Sequence, residues 1–111
     1  MEPGSIVILH LHNPTEKFWG VLERLSEHGI ILRGLNLSSF DDWIAQAAAE
    51  GDEPPAIGLA TMFVPMLRVE RLFLDEQVGA VESYCQRFAH RVGQSVYDYL
   101  GARGGSVAAD A

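Results

Sequence analysis

His10 and His12 stand two residues apart in "SIVILHLH", residues 5–12, and are the one pairing in this chain that could act together chemically. Residues i and i+2 of a strand project from the same face. Two imidazoles so placed can chelate Zn²⁺, Fe²⁺ or Cu²⁺. A working site needs a third ligand, with His28, His90, Asp41 and Asp42 as candidates, and an open coordination position. The plainer reading is two histidines closing a strand before a turn, in a chain with neither HExxH nor CxxC. Phe18, Trp19, Phe40 and Trp43 form a second set. Such rings stack on bases or grip proline-rich peptides, or they fill a core, where they bury large areas. Arg68 and Arg71, on either side of Glu70, either join Trp19 and Trp43 in an interaction surface or form the solvated face of a strand. Cys85 falls on an apolar stripe and reads as an inert core thiol. No serine has a GxSxG context and no glycine-rich phosphate loop is present. The chain reads as a non-enzyme, and no cofactor is implied.

The totals bound what can position these residues. A chain of 111 residues is one domain's worth, long enough to bury a core without staples. Hydrophobic residues make up 48% and charged residues 21%, an ordinary folded composition. No apolar run approaches the ~20 residues of a membrane span, so no membrane role is expected. "MEPGSIVILHLH" has no basic region ahead of its apolar stretch, so it does not read as a signal peptide. A single cysteine excludes an internal disulfide and fits a reducing compartment, the cytoplasm by default. The net charge of −7, with Lys17 the single lysine, repels phosphate backbones.

Hydrophobic periodicity then sets out the elements. Residues 5–12 read as a first strand with Val7, Leu9 and Leu11 on one face and Ile6, Ile8, His10 and His12 on the other. "NPTEK" breaks it, "FWGVLERLS" resumes with Gly20 as a bend or bulge, and "SEHG" turns into a third strand, "IILRGLNL". "SSFDDWIAQAAAEG" changes period. Ser39 is a candidate N-cap, acidic residues fill the first turn and Gly51 stands at the C-terminal cap. Residues 38–57 are therefore a helical insertion, ending in a loop from Asp52 to Ile57. "LATMFV" is the fourth strand and "VERLFLD" the fifth. Pro65, which cannot donate to a ladder, begins a 3₁₀-like turn between them. Val78, Val81, Cys85, Phe88 and Val92 fall at helical spacing up to Gly93, and Ser95 caps a further short helix. The expected fold class is mainly β with α: a five-stranded antiparallel small barrel with a C-terminal helix or helix pair. Residues 1–100 form the domain and 101–111 a disordered tail.

Over residues 5–75 the pattern resembles a small Src-homology-like or, more closely, Sm-like barrel. "VILHLHNPTEKFWGVLERL" looks like the first Sm motif, with Gly20 between hydrophobic strand positions. "FVPMLRVERL" is similar to the second, with Val69 and Leu72 in its hydrophobic slots. The resemblance implies a closed barrel and, from the family's habit, subunits joined through strands four and five. It does not carry over the family's RNA site. Where that site has an Asp and an Asn this chain has "SEHGII", and where it has Arg-Gly this chain has "PMLR".

The expectation is a non-catalytic interaction or assembly module on an Sm-like barrel. It would meet a protein partner, or itself, through a strand edge, because uncovered edges invite pairing. The alternatives are an RNA-binding Sm-like protein, which the charge disfavours, and a metal-binding protein using His10 and His12.

Overall fold

The computed structural model describes residues 1–49 and 56–102. Five strands, β1 (Ile6–Leu11), β2 (Glu16–Ser26), β3 (Gly29–Asn36), β4 (Ala60–Pro65) and β5 (Val69–Leu74), form one sheet in the order β4-β3-β2-β1-β5. Every neighbouring pair is antiparallel. Helix α1 (Phe40–Ala49) follows β3, and α2 (Tyr84–Val92) and α3 (Val96–Ala102) follow β5.

Alternation in β1 sends apolar side chains to both faces, and both faces are covered. Ile6 and Ile8 face the helices, while Val7, Leu9 and Leu11 pack with Leu22, Ile30, Leu32 and Val64 on the other side. Among the described residues that second cluster draws only on strands, so the sheet itself bends over it. Gly20 and Gly34 face each other on adjacent strands at the bend. A Cβ on Gly20 would lie 2.4 Å from the Arg33 carbonyl oxygen, and one on Gly34 would lie 2.3 Å from that of Trp19. Only glycine allows so close an approach. The bulge itself lies further along β2, between Leu22 and Arg24.

The turn expected at Pro65 is present, as a one-turn 3₁₀ helix over Met66–Arg68. The barrel is not. β4 and β5 are the two outer strands, and no ladder joins them. The sheet is open, so the Sm-like resemblance and the closed-barrel fold class are both corrected. What stands is an open five-stranded antiparallel sheet with a helical insertion after β3 and helices after β5. The physical reason lies partly in Arg68. Its guanidinium donates to the carbonyls of His12 and Pro14 and pairs with Glu16 at 2.7 Å, which ties the start of β5 to the β1–β2 turn rather than to β4.

The helices cover one face. Trp19 of β2 meets Phe40 and Trp43 of α1, with ring centroids 5.1 and 5.3 Å away, and Trp43 meets Phe88 of α2 and Tyr99 of α3. Such pairs are worth about 0.5–1.5 kcal/mol each beyond the area they bury. Two helix starts differ from expectation. Asn36, not Ser39, caps the single 3₁₀ turn over Leu37–Ser39 that leads into α1. α2 begins at Tyr84 rather than near Val78, because Ser83 and Gln86 form a reciprocal capping box there. Val78 and Val81 lie in the extended link before it, joined by an isolated bridge. Ser95 does accept from the Asp98 amide at the start of α3. Gly51 and most of the Asp52–Ile57 loop fall outside the described residues, as does the tail from 103 onward.

Candidate functional site

His10 ends the apolar run of β1 half-buried, with Lys17 opposite it on β2 and Arg71 opposite it on β5. Its ring meets Phe73 edge-on at 5.0 Å. Burial, then the neighbouring Lys17 and Arg71 charges, lower its pKa, so it stays neutral where an ordinary histidine begins to titrate. His12 lies beyond the strand end. There its amide donates to the Arg68 carbonyl and its Nδ1 meets the Asn13 side chain at 3.1 Å. Among the described residues no group of three or more His, Cys, Asp or Glu side chains is placed to hold a metal ion. The metal reading of His10 and His12 is therefore corrected: the strand spacing is there, but no third ligand converges on it.

The other proposed surface residues separate. Trp19 and Trp43 are buried in the core. Arg68 is committed to the β1–β2 turn, and Arg71 lies exposed beside Glu70 at 3.9 Å. They do not make one surface. The interaction or assembly module built on an Sm-like barrel, and its RNA-binding alternative, fall with the barrel.

Asp75 was missed by the sequence reading. Just past β5, its Oδ1 accepts from the Tyr84 amide at 2.8 Å, and its Oδ2 accepts from the Cys85 amide at 2.8 Å and from the Trp19 indole at 3.0 Å. One carboxylate thus holds the first turn of α2 against the sheet, the favourable end of a helix for negative charge. Burial, and secondarily Asp75, raise the Cys85 thiol pKa far above its ordinary range, so Cys85 is a poor nucleophile.

Two surface features remain. The first is the free edge of β4. The strand is "ATMFVP", without a charged residue, and among the described residues has β3 as its one neighbour. Phe63 at its middle is 58% exposed, and Leu67 in the following turn is 91% exposed. Natural edges are usually blunted by charge, proline or a cover. Here Pro65 blunts only one end. β5, at the other edge, carries Glu70 and Arg71. The second feature is a groove beside β5. A cleft of about 480 Å³ and a slot of about 260 Å³ share Lys17, Leu37 and Tyr84. Phe40 and Arg87 line the cleft, and Ile8, Phe73, Val78 and Val81 line the slot. Arg87 lies over the Phe40 and Tyr84 rings and pairs with Asp41.

Among the described residues no helix is long and apolar enough to cross a membrane. Comparison of the chain with protein-family models, with curated proteins and with solved structures finds no match.

Proposed function

We propose that the chain acts by binding, without catalysis, and that it pairs with a second copy of itself along β4. The observation that carries this reading is a neutral, apolar strand edge left open among the described residues, with a large aromatic side chain exposed at its centre. An unpaired edge offers a row of backbone donors and acceptors, and adding a strand satisfies them. Charge selects the partner. A two-fold dimer sets each surface against itself, so like charges would oppose like, and β4 has none. Antiparallel pairing about the middle of the strand sets Phe63 against its counterpart in the second copy, the kind of aromatic cross-strand pair that stabilises sheets. The β5 edge suits self-pairing less, since its charges fit only one register. A phosphate backbone is disfavoured by the −7 charge, and the lone free Cys85 supports work in a reducing compartment, the cytoplasm.

The test is the solution mass of the full chain by size exclusion with light scattering. The expected result is twice the 12.2 kDa chain mass, with Phe63→Lys reducing it to the single-chain value while the circular dichroism stays unchanged. A wild-type protein that runs as a monomer at 100 µM (about a hundred times a micromolar dissociation constant) refutes the reading. So does a Phe63→Lys variant that stays dimeric.

A further inference from the structure

We propose that the outer edge of β5 takes an extended segment of a partner protein, one lysine or arginine of which lies in the apolar slot at the end of the strand. Three observations meet there, and the first is the backbone. The Asp75 amide donates to the Ile6 carbonyl at 3.0 Å. In an antiparallel ladder both backbone groups of a residue point to one edge, and those of the next residue point to the other. Asp75 and Phe73 therefore bond towards β1, and the N–H and C=O groups of Leu72 and Leu74 point outward. Among the described residues β5 has β1 as its one neighbour, so an added strand can take up those groups.

The second observation is the slot of about 260 Å³, walled by Phe73, Val78 and Val81. Val78 and Val81 exchange backbone bonds of 3.0 and 2.9 Å across a two-residue turn, which holds them 67% and 71% exposed. Contiguous apolar surface left in water marks contact sites. The third is charge. Among the described residues that line the slot, Asp75, Glu76 and Glu82 stand against Lys17. Lys17 is opposite His10, and Asp75 is bonded to Ile6, so about 13 Å of β1 separates the basic end from the acidic end. Asp75 is held by three donors and Glu82 meets His90 at 3.2 Å, while Glu76 makes no ion pair with another described residue. The acidic end selects a cation, and the apolar walls select one carried on a hydrocarbon stem, which is the make-up of a lysine or arginine side chain. The net charge of −7 favours a basic partner at longer range. The β4 strand of a second copy has no charged residue to offer, so the occupant is a different protein.

Amide-resolved NMR titration of the full chain with a blocked peptide, threonine-valine-lysine-valine-threonine, tests it. The Leu72 and Leu74 amides are expected to shift downfield, and those of Thr61 and Phe63 on β4 to stay. Norleucine in place of the lysine keeps the stem without the charge, and should weaken binding by about fivefold, the upper range of one exposed ion pair. Glu76→Gln should weaken the lysine peptide by about the same factor and leave the norleucine peptide unchanged, a split that a merely structural effect would not give. Val78→Ser with Val81→Ser should weaken both peptides. Phe63→Lys should leave binding unchanged, which separates this edge from the pairing proposed for β4. No shift at Leu72 and Leu74 with millimolar peptide, equal affinity for the two peptides, or an unchanged affinity in Glu76→Gln would each overturn the assignment.

Discussion

Replacing Asp75 should loosen the docking of α2 on the sheet more than its partial exposure suggests. In Asp75→Ala three donors lose their acceptor at once: the Tyr84 and Cys85 amides and the Trp19 indole N–H. The two amides lie in the first turn of α2, where water can replace part of what is lost, so their share is that of a missing cap, about 1 kcal/mol. The indole belongs to a fully buried ring, and an orphaned buried donor adds about 1–3 kcal/mol. The total is about 3 kcal/mol, a large part of a small domain's stability. Asp75→Asn should lose about half of that, since an amide keeps one oxygen for two donors but sets an NH₂ group against the third. Urea unfolding followed by tryptophan fluorescence reads both values. A double-mutant cycle with Trp19→Phe isolates the indole bond, because the shrunken ring is common to both backgrounds, and should give a coupling of about 1 kcal/mol or more. A loss below about 0.5 kcal/mol in Asp75→Ala, or no coupling to Trp19, would refute the reasoning.

Gly34→Ala and Gly20→Ala should each destabilise by about 3 kcal/mol or more, the upper range for overpacking, because the new Cβ meets backbone rather than a movable side chain. A urea midpoint within error of wild type would contradict the close approach. Cys85 should react with a disulfide reagent at pH 8 at least about tenfold more slowly in the native protein than in urea, since its thiol is held protonated; equal rates would contradict this. His10 should make stability depend on pH. Its folded pKa lies below 6.5, so as pH falls through that value the unfolded chain takes up the proton first and stability drops, until the folded His10 titrates as well. His10→Gln should flatten the loss measured between pH 7.5 and 5, and an unaltered slope would count against it.

Much of the sheet was legible because two signals agree in it. In β1 a two-residue period places apolar residues on both faces, and both are buried. Around β4 a proline marks where the ladder must stop. The start of α2 shows two local signals in conflict. Val78 and Val81 continue the helical spacing of Cys85, Phe88 and Val92, but Ser83 and Gln86 carry a capping box. Gly79, with φ of +59°, also turns the chain out of helical geometry before it. The cap prevails because it satisfies backbone groups that an extended helix would satisfy only by ordering more residues. The role of Asp75 was beyond sequence reading for another reason. Its bond to Trp19 spans 56 residues, and nothing local distinguishes it from any acid at the end of a strand. The histidine pair failed as a site because spacing reports which side chains share a face, not what a third strand brings to them.

The same contrast explains why the barrel was expected and an open edge was found. Periodicity fixes which residues face inward, and the Gly20–Gly34 approach fixes where the sheet bends. Neither determines whether the last strand reaches the first. That depends on which groups near the 3₁₀ turn take the available hydrogen bonds. Arg68 gives its donors to the His12 and Pro14 carbonyls and to Glu16, and the Met66 amide donates to the His28 carbonyl. Each end of the turn is thereby held by the hairpin nearest to it, β5 by the β1–β2 turn and β4 by the β2–β3 turn. Closing the two edges would require giving up some of these bonds. The anchors of the turn thus leave β4 as an outer strand, uncharged and with Phe63 exposed.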